Sequence, residues 1–513
     1  MKRIALLLVA WSFLGVLSAQ MPTTYLVSDF SEEELDQMLV LCMKGGIKGL
    51  LHGAPFSSYG HYEWKPDFAT KGNRSVAGMV EHAQENGILL GIYAQKDAIS
   101  LNDRYFTPRY FHRLKKSGRV ALFDDIAADQ REFAVYPNEV FDHVSTLNLL
   151  LADGEMISYG TMEHAQEAVL LYRCSRGAFG TEASDHDARA EVYKIWDAPG
   201  RFVAPDESLR DSVQWHLSQR IASARLPFVR YSGESGMNKV DGSVRVRQVE
   251  RWERERDSLS VLGLPLELGW LSLRASEGRQ SATTLEELEW MLSKAAAFDA
   301  GYGLVIDRAA VKRYGCLDKA LSAVKAWNTV RDAGILTLQQ KEDLKDPYTD
   351  WHLEAFGDDS FLLYPIRCSR GYRCVVKGAG RCQETWQWKS PSKRLLALRI
   401  EVNGKGEIRK PVLVVGEDTL ELPCTVKSGQ FLVCGFDGMA RLTDADLHTI
   451  REWKMEALSA LAEGETPVVF SFEARSDGKL PEVVVRYQTR ETPIPLMVAP
   501  DLEWRPDGGA APH

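Results

Sequence analysis

The stretch Thr283–Asp307, TTLEELEWMLSKAAAFDAGYGLVID, decides the fold. Its first part has the apolar spacing of an amphipathic helix, and Gly301 separates that part from the short apolar run YGLVID. A run with almost no polar alternation is typical of a strand in a parallel sheet that is covered on both faces. The stretch therefore predicts a helix followed by a buried strand, the repeating unit of an α/β protein.

The same unit recurs along the chain. SEEELDQMLVLCMKGG, with a capping box formed by Ser31 and Glu34, precedes the strand IKGLLHG. Further helices and strands are SVAGMVEHAQENG with ILLGIYA, LRDSVQWHLSQRIASAR with LPFVRYSG, VRVRQVERWERERDSLSVLG with LPLELGWLSL, and the closing helix LDKALSAVKAWNTVRDAG. We predict a (β/α)8 TIM-like barrel over residues 20–355. The alternative is a doubly wound open sheet, but no glycine-rich phosphate loop follows the first predicted strand.

Two other regions of the 513-residue chain are predicted to be rich in β-strands. Residues 120–200 interrupt the helix–strand rhythm and are interpreted as a β-rich insertion on a barrel loop. Residues 356–500 are predicted to form an all-β sandwich, with one helix at residues 444–464. Residues 501–513 are predicted to be a disordered tail.

The N-terminus has the pattern of a signal peptide. Lys2 and Arg3 precede the apolar run Ile4–Val16, and Ser18 and Ala19 offer a small-residue cleavage site. A membrane anchor is the alternative, but the run is short for a span and no second apolar span follows. We therefore expect residues 1–19 to be removed and the protein to be secreted or periplasmic.

The net charge of −9 argues against a nucleic-acid partner, which would need a basic face. Three of the eight cysteines are isolated in apolar patterns and are expected to be buried thiols. Five lie in the last third without a C-x-x-C pair, so we expect one or two disulfides there rather than a zinc site. These five are Cys368, Cys374, Cys382, Cys424 and Cys434.

In a parallel barrel, functional residues lie at the carboxyl ends of the strands. The loop HGAPFSSYGHYEWKPDF, residues 52–68, follows such a strand and is rich in histidine, acids and aromatic rings. Carboxylate pairs suit glycosidic cleavage, and Glu234 and Glu277 are the predicted catalytic pair. The predicted substrate-binding residues are His52, His61, Glu63, Trp64, Asp67, Asp97, Tyr231, Trp270, Arg274 and Asp307.

Several of these residues have a plainer interpretation. Asp97 and Asp307 are placed where aspartates often cap helices. Trp270 suits a barrel core, and Trp64 suits a ring packed under a loop. Glu63, Asp67, Glu277 and His61 are alternatively ordinary surface residues. The chain has no H-E-x-x-H, G-x-S-x-G or P-loop motif, and we predict neither a metal nor a cofactor.

Several segments, taken in order, resemble secreted bacterial barrel proteins related to the α-galactosidase-like glycoside hydrolases. The resemblance covers most of residues 25–355, and the sandwich after the barrel is similar to the accessory domains of such proteins. The segments that carry it are GHYEWKPDF, NDRYFTP, RCSRGAFGTEASDH, LGWLSL, TTLEELEWMLSKAAAFDAGYGL and AWNTVRDAG.

The resemblance implies a nucleophilic aspartate at the end of the fourth barrel strand. The matching stretch FVRYSGES has Tyr231 there, and a histidine often found after the second strand is replaced in GIYAQKDAI by Tyr93 and Gln95. Glu234, three residues after Tyr231, is the candidate to take over the carboxylate role. The prediction is a glycoside hydrolase acting on a poly- or oligosaccharide. The alternative is a catalytically degenerate carbohydrate-binding protein, and a structural protein without a ligand would leave the first loop unexplained.

Overall fold

The computed structural model describes residues 22–142, 145–198, 201–231, 242–261, 264–278, 280–357, 359–455, 460–476 and 478–497. These residues belong to two compact units. Of the described residues, 29–36 and those between 51 and 231 belong to the first unit, and 22–28, 37–50 and those between 242 and 497 belong to the second. The predicted signal peptide, the C-terminal tail and Glu234 lie outside the described residues.

The described chain is a mixed α/β protein with a six-stranded parallel sheet, so the predicted class is confirmed. Its strands are β1 (Thr24–Ser28), β2 (Gly49–His52), β3 (Leu89–Tyr93), β4 (Phe228–Arg230), β5 (Glu267–Leu273) and β6 (Gly301–Ile306). They lie in the order β4-β3-β2-β1-β6-β5. The helices are α1 (Leu35–Lys44), α2 (Asn73–Glu85), α3 (Glu207–Ser223), α4 (Gly242–Val261), α5 (Leu285–Phe298), α6 (Arg308–Arg313), α7 (Leu317–Asp332) and α8 (Leu338–Lys345).

The predicted unit α5–β6 forms as its sequence indicates. Thr284 and Glu287 make a capping box at the start of α5, and Gly301 starts β6. Gly303 in β6 allows close packing, because a Cβ atom there would lie 2.5 Å from Cδ1 of Trp270 on β5. The capping box predicted for Ser31 and Glu34 is also confirmed, and it leads through a short 3-10 turn into α1.

One parallel strand was not predicted from the sequence. β1, TYLVS, is buried along its whole length and pairs in parallel with β6, with Tyr25 opposite Gly303. It closely follows the predicted cleavage site, and the sequence analysis predicts no strand there. The prediction that His52 ends the first parallel strand is therefore wrong: His52 ends the second.

Short antiparallel strands occupy the region of the predicted β-rich insertion. One four-stranded sheet contains Glu155–Ser158, Leu149–Ala152, Glu191–Ile195 and Lys116–Ala121. A three-stranded sheet contains Thr161–His164, Val169–Tyr172 and Phe133–Val135. Two smaller sheets lie mostly outside that region. One contains Asp197–Ala198, Phe202–Val203 and Ile99–Ser100, and the other contains Phe56–Ser58 and Glu63–Trp64.

Two antiparallel sheets follow α8 and share one hydrophobic core. Trp388 and Phe470 of the smaller sheet meet Ile400 and Val485 of the larger sheet in that core. The nine-stranded sheet comprises Asp350–Ala355, Ser360–Cys368, Tyr372–Cys374, Leu395–Gly404, Gln430–Cys434, Met439–Thr443, Thr449–Lys454, Pro481–Arg490 and Ile494–Met497. The five-stranded sheet comprises Gly380–Ser390, Glu407–Val415, Asp418–Glu421, Thr425–Lys427 and Gly464–Arg475.

The helix predicted at residues 444–464 is wrong. Thr449–Lys454 is a strand that pairs with Met439–Thr443. Asp444 turns the chain between these strands by accepting hydrogen bonds from the amides of Asp446 and His448, both at 2.9 Å. Cross-strand pairing has overridden the helical propensity of the segment.

The expectation of one or two disulfides is also wrong, because none of the eight cysteines, all of which lie within the described ranges, forms a disulfide. Cys374, Cys424 and Cys434 are packed as apolar side chains in the core shared by the two sheets. Burial raises the pKa of Cys374 and of Cys434 to about 12, so both thiols stay protonated.

None of the helices in the described ranges is both long enough and apolar enough to cross a membrane.

Candidate functional site

Tyrosines and aspartates gather in the first unit, around the ends of its parallel strands. We call Asp29, Tyr59, Tyr62, Tyr93, Asp97 and Tyr231 the strand-end cluster. The rings of Tyr59 and Tyr62 meet edge to face, with centroids 5.8 Å apart. Asp29 and Tyr93 act electrostatically on Tyr59, while Asp97 and Tyr231 act on Tyr62. The buried Tyr62 and the partly buried Tyr59 thus connect the other members of the cluster.

Tyr62 is the fixed centre of this cluster. Its side chain is fully buried, and its hydroxyl donates to the carbonyls of Gln95 at 2.7 Å and Lys96 at 2.9 Å. These hydrogen bonds tie the loop after β2 to the loop after β3. Burial raises the pKa of Tyr62 above its ordinary value and that of Tyr59 to about 12, so both remain neutral hydrogen-bonding phenols.

Three members of the cluster are accessible to a ligand. Asp29 directly follows β1, and 54% of its side chain is exposed although it pairs with Lys65 at 2.9 Å. Asp97 is exposed and accepts a hydrogen bond from Nε2 of Gln214 at 2.8 Å. Tyr231 directly follows β4 and is 49% exposed. The cluster therefore presents two carboxylates and one phenol to solvent.

His52 is fully buried beside this surface. Its Nε2 lies 2.9 Å from the carbonyl oxygen of Phe30, and its Nδ1 accepts from the amide of Ala54 at 3.3 Å. Burial lowers the pKa of His52 to about 4 despite the nearby charge of Asp29, so the ring is neutral at pH 7. With both nitrogens engaged, His52 orders the chain around Asp29.

His61 belongs to a second group, which consists of the three contacting rings of His61, Tyr105 and His216. Nδ1 of His61 lies 2.8 Å from a carboxylate oxygen of Asp103, and the ring stacks on Tyr105 with centroids 4.2 Å apart. The ring of His216 is 4.5 Å from that of His61, and its Nε2 is 3.2 Å from the Tyr105 hydroxyl. Burial and the neighbouring His61 lower the pKa of His216.

The arrangement around Asp103 determines what His61 can do. A carboxylate accepts hydrogen bonds, so Nδ1 of His61 is the donor and Nε2 is left to accept a hydrogen bond. Trp215, next to His216, is 57% exposed and lies 5.0 Å from the His216 ring. An oriented imidazole beside an exposed aromatic face suits the binding of a hydroxyl-rich ligand.

Other predicted residues of the first loop have structural contacts. Trp64 is 8% exposed, stacks on Phe56 and donates from Nε1 to Asn73 at 2.6 Å. Glu63 is exposed and pairs with Arg104 at 3.2 Å. Asp67 is exposed and acts electrostatically on His52.

The remaining predicted residues of the described chain lie in the second unit. Nε1 of Trp270 donates to the hydroxyl of the buried Tyr25 at 2.9 Å. Nε of Arg274 donates to the carbonyl of Ser281 at 3.2 Å, and Glu277 is exposed in a tight turn with Gln280. Asp307 caps α6 by accepting from the amide of Ala310 at 2.5 Å, which is the alternative role suggested for it.

Seven residues of these groups were not predicted from the sequence as site residues: Asp29, Tyr59, Tyr62, Tyr93, Asp103, Tyr105 and His216. Asp29 follows β1, which the sequence pattern does not predict as a strand. Asp103 and Tyr105 lie within NDRYFTP, one of the segments that carry the resemblance. His216 lies on α3, so it is not found by looking for residues at the carboxyl ends of strands.

Within the described ranges, no group of three or more histidine, cysteine or acidic side chains has the geometry of a metal site.

No protein-family model matches the sequence. No curated protein matches it either. Among solved structures, a GH36 α-galactosidase from Geobacillus stearothermophilus in complex with stachyose aligns with 89% of this chain and 56% of its own, at 11% identity and a TM-score of 0.30. The α-galactosidase from Lactobacillus brevis aligns with 90% of this chain and 56% of its own, at 11% identity and a TM-score of 0.34.

A maltogenic α-amylase from Thermotoga neapolitana aligns with 88% of this chain and 99% of its own, at 9% identity and a TM-score of 0.33. This chain thus spans about 56% of the length of the α-galactosidases that it matches. Because these TM-scores lie below 0.5, the interpretation of the site rests on its own residues.

Proposed function

We propose that the protein is a glycoside-hydrolase-like protein that binds a poly- or oligosaccharide at the strand-end cluster and hydrolyses a glycosidic bond there. The observation that carries the proposal is the exposure of Asp29 and Asp97 beside the contacting rings of Tyr59 and Tyr62. Glycosidic hydrolysis needs one carboxyl group to protonate the leaving oxygen and another to attack or to activate water. The cluster offers two carboxylates: Asp97 on the loop after β3, to which Tyr62 is hydrogen-bonded, and Asp29 at the end of β1, paired with Lys65.

The proposal includes the (β/α)8-like barrel and the C-terminal sandwich. In the order β4-β3-β2-β1-β6-β5, strands β1 to β4 follow one another, and β6 lies beside both β5 and β1. The six strands thus follow one another in the cyclic order of a barrel, with a gap between β4 and β5. A doubly wound sheet would instead reverse its strand order at one point, so the observed order supports a barrel. The core shared by the two antiparallel sheets supports the sandwich.

The surroundings of the two carboxylates suit a sugar. Tyr231 and Trp215 are about half exposed and offer aromatic faces, while Gln214 and Lys65 hold the carboxylates in place. Sugar hydroxyls are both donors and acceptors, and they match the carboxylates, phenols and imidazoles of this unit. Glu234 and Glu277 stay predicted as catalytic carboxylates and belong in the same test.

The second candidate function is carbohydrate binding without turnover. It is favoured by Tyr231, which directly follows β4, where the resemblance places a nucleophilic aspartate. In that case the strand-end cluster would hold a sugar but cleave nothing.

The test is a panel of poly- and oligosaccharides, on which both binding and the release of reducing ends are measured. We expect Asp29→Asn and Asp97→Asn each to lower release at least 100-fold, with Glu234→Gln and Glu277→Gln measured alongside. Asp36→Asn is the control, because Asp36 is an exposed carboxylate that pairs with His82 outside the cluster. Binding without release would favour the second candidate, and the absence of both would overturn the proposal.

Secretion is part of the proposal and has its own test. N-terminal sequencing of the protein recovered outside the cytoplasm should show a chain that begins near Gln20. A full-length chain that still begins at Met1 would contradict it.

A further inference from the structure

The second unit contains a cavity of about 400 Å³ that is separate from the residues proposed for sugar cleavage. It lies where α5 meets the nine-stranded sheet, and its size is within the usual range for a small-molecule site. The residues that matter for its chemistry are Glu289, His352, Phe436, Gln488 and Arg490, with Lys319 at its edge.

Arg490 is the distinctive group of this cavity. Its guanidinium lies over the rings of Tyr364 and Phe436, at 4.6 and 4.9 Å from their centroids. Its Nε is buried and has no hydrogen-bond partner, and no ion pair joins Arg490 to an acid of the described chain. A guanidinium held between two rings, without a carboxylate, is preoriented for an anionic partner.

The acids that line the cavity are Glu286, Glu289, Asp350, Glu354 and Asp437, and four of them have the following partners. Glu289 lies 2.8 Å from Nδ1 of His352 and accepts from the amide of Leu353 at 3.2 Å. Asp350 forms an ion pair with Arg245 at 3.0 Å. These two carboxylates are therefore already compensated.

Two further acids of the cavity follow the same pattern. Asp437 pairs with Arg441 at 2.5 Å. Glu354 accepts a hydrogen bond from the hydroxyl of Tyr364, the ring under the guanidinium of Arg490. Lys319, like Arg490, forms no ion pair with the described residues. The cavity therefore has two cations that form no ion pair with its own acids.

We propose that this cavity binds a small molecule through a carboxylate that docks on the guanidinium of Arg490. Arginine and carboxylate form two parallel hydrogen bonds, and the rings of Tyr364 and Phe436 fix the plane in which these bonds form. The amide of Gln488 and the ring of His352 line the same cavity and suit the hydroxyls of a sugar. The ligand class is an acidic sugar or another small organic carboxylate.

Calorimetric titration of the full chain tests the proposal with three probes: D-glucuronate, D-glucose and acetate. We expect glucuronate to bind at least tenfold more tightly than glucose, which lacks the carboxylate. If acetate binds as tightly as glucuronate, the ligand is a simple carboxylate; if only glucuronate binds, it is an acidic sugar. Equal binding of glucuronate and glucose, or no binding of either carboxylate, would overturn the proposal.

The variants assign the binding to Arg490. Arg490→Gln should weaken glucuronate binding at least tenfold. Arg490→Lys should retain only part of the wild-type affinity, because lysine keeps the positive charge but lacks the two parallel N–H donors of a guanidinium. Arg486→Gln is the matched control: Arg486 lies on the same face of the same strand, pairs with Glu401 at 2.5 Å and does not line the cavity. The assignment would be wrong if Arg490→Gln bound glucuronate as tightly as the wild type, or if Arg486→Gln lost as much affinity as Arg490→Gln.

Discussion

Asp103 accepts hydrogen bonds from both the backbone amide and the ring Nδ1 of His61, at 2.9 and 2.8 Å. The side chain of Asp103 is fully buried, while that of His61 is 13% exposed. Asp103 comes from the segment after β3, and His61 from the loop after β2. One carboxylate therefore fixes the position of the loop that the sequence identifies as rich in functional residues, and also the tautomer of its histidine.

The first prediction concerns this carboxylate. Asp103 also accepts from the amide of Tyr105 at 2.9 Å, and an asparagine cannot accept all of these hydrogen bonds, because it has one oxygen in place of two. We expect Asp103→Asn to lower the free energy of unfolding by about 1–3 kcal/mol. Urea denaturation measures the change. Asp36→Asn is the control, and an equally small effect of both substitutions would contradict the role of Asp103.

The second prediction concerns Gly60, which precedes His61. Its φ is +118°, and a Cβ atom there would lie 2.5 Å from a carboxylate oxygen of Asp103. Gly60→Ala should therefore displace the loop and reduce the melting temperature by several degrees. Gly154→Ala is the matched control, because Gly154 has a φ of +89° but nothing within 4 Å of the added Cβ. If the two variants melt alike, the contact with Asp103 contributes nothing beyond backbone strain.

The third prediction is an acid-dependent loss of stability through Glu155. Burial of this carboxylate would raise its pKa, but hydrogen bonds from Arg176, the amide of Gly177 and His186 lower it to about 2. The ordinary pKa is about 4.5, so the stabilisation is complete above that pH and is lost as the pH falls toward 2. Unfolding measured between pH 2 and 6 should show this slope in the wild type.

The matched variant for that slope is Glu155→Gln. It should lose the slope and cost about 3–5 kcal/mol at pH 7, because it leaves the buried Arg176 without its anion. Glu191→Gln serves as control, since Glu191 pairs with Arg119 at the surface. An unchanged slope in Glu155→Gln would show that other acids cause it.

The sequence predicts α5 and β6 well, because capping, apolar spacing and the glycine between them all indicate the same structure. It fails where a partner elsewhere in the chain decides the outcome. The segment 444–464 has helical composition, yet its residues Thr449–Lys454 complete a sheet edge beside Met439–Thr443. Local propensity carries no information about such a partner.

The residues of the candidate site are likewise predicted only where the local sequence carries a signal. Placing residues after apolar strands identified His61, Asp97 and Tyr231, which do lie in the loops or at the strand ends of the first unit. It did not identify His216, because a histidine in the middle of a helix has no local signal of function. Nor did it show that both ring nitrogens of His52 are engaged within the protein, since this depends on contacts with Phe30 and Ala54.

The fourth prediction is a gain of stability at alkaline pH from Lys294. Burial lowers its pKa to about 7, although Asp350 and Asp346 oppose the shift and Arg245 adds to it. The unfolded chain binds a proton below pH 10.5 that the folded chain does not bind until about pH 7, so stability rises with pH between these values. We expect a rise of roughly 3–5 kcal/mol in unfolding free energy over this window.

Lys294→Met should flatten that rise, because methionine fills a similar volume without titrating. It should also cost stability at high pH, since Nζ of Lys294 donates to the carbonyls of Leu344 and Asp346 at the end of α8. Lys44→Met is the control at an exposed ion pair with Asp318. The same rise in Lys294→Met and wild type would assign it to other groups.

The last prediction separates ligand binding from folding at the surface of the first unit. Trp215 is 57% exposed and contacts the ring of His216, which in turn contacts His61 and Tyr105. An aromatic ring that remains exposed contributes little to the folded state but offers a large apolar face to a sugar. Trp215→Ala should therefore weaken saccharide binding about tenfold, ~1.4 kcal/mol, while the unfolding free energy changes by less than about 0.5 kcal/mol. Tyr348→Ala, at an aromatic residue of the second unit that is 66% exposed, should leave both quantities unchanged. Weaker binding in both variants would indicate a nonspecific effect, and a large loss of stability in Trp215→Ala would mean that the ring supports the fold and not the ligand.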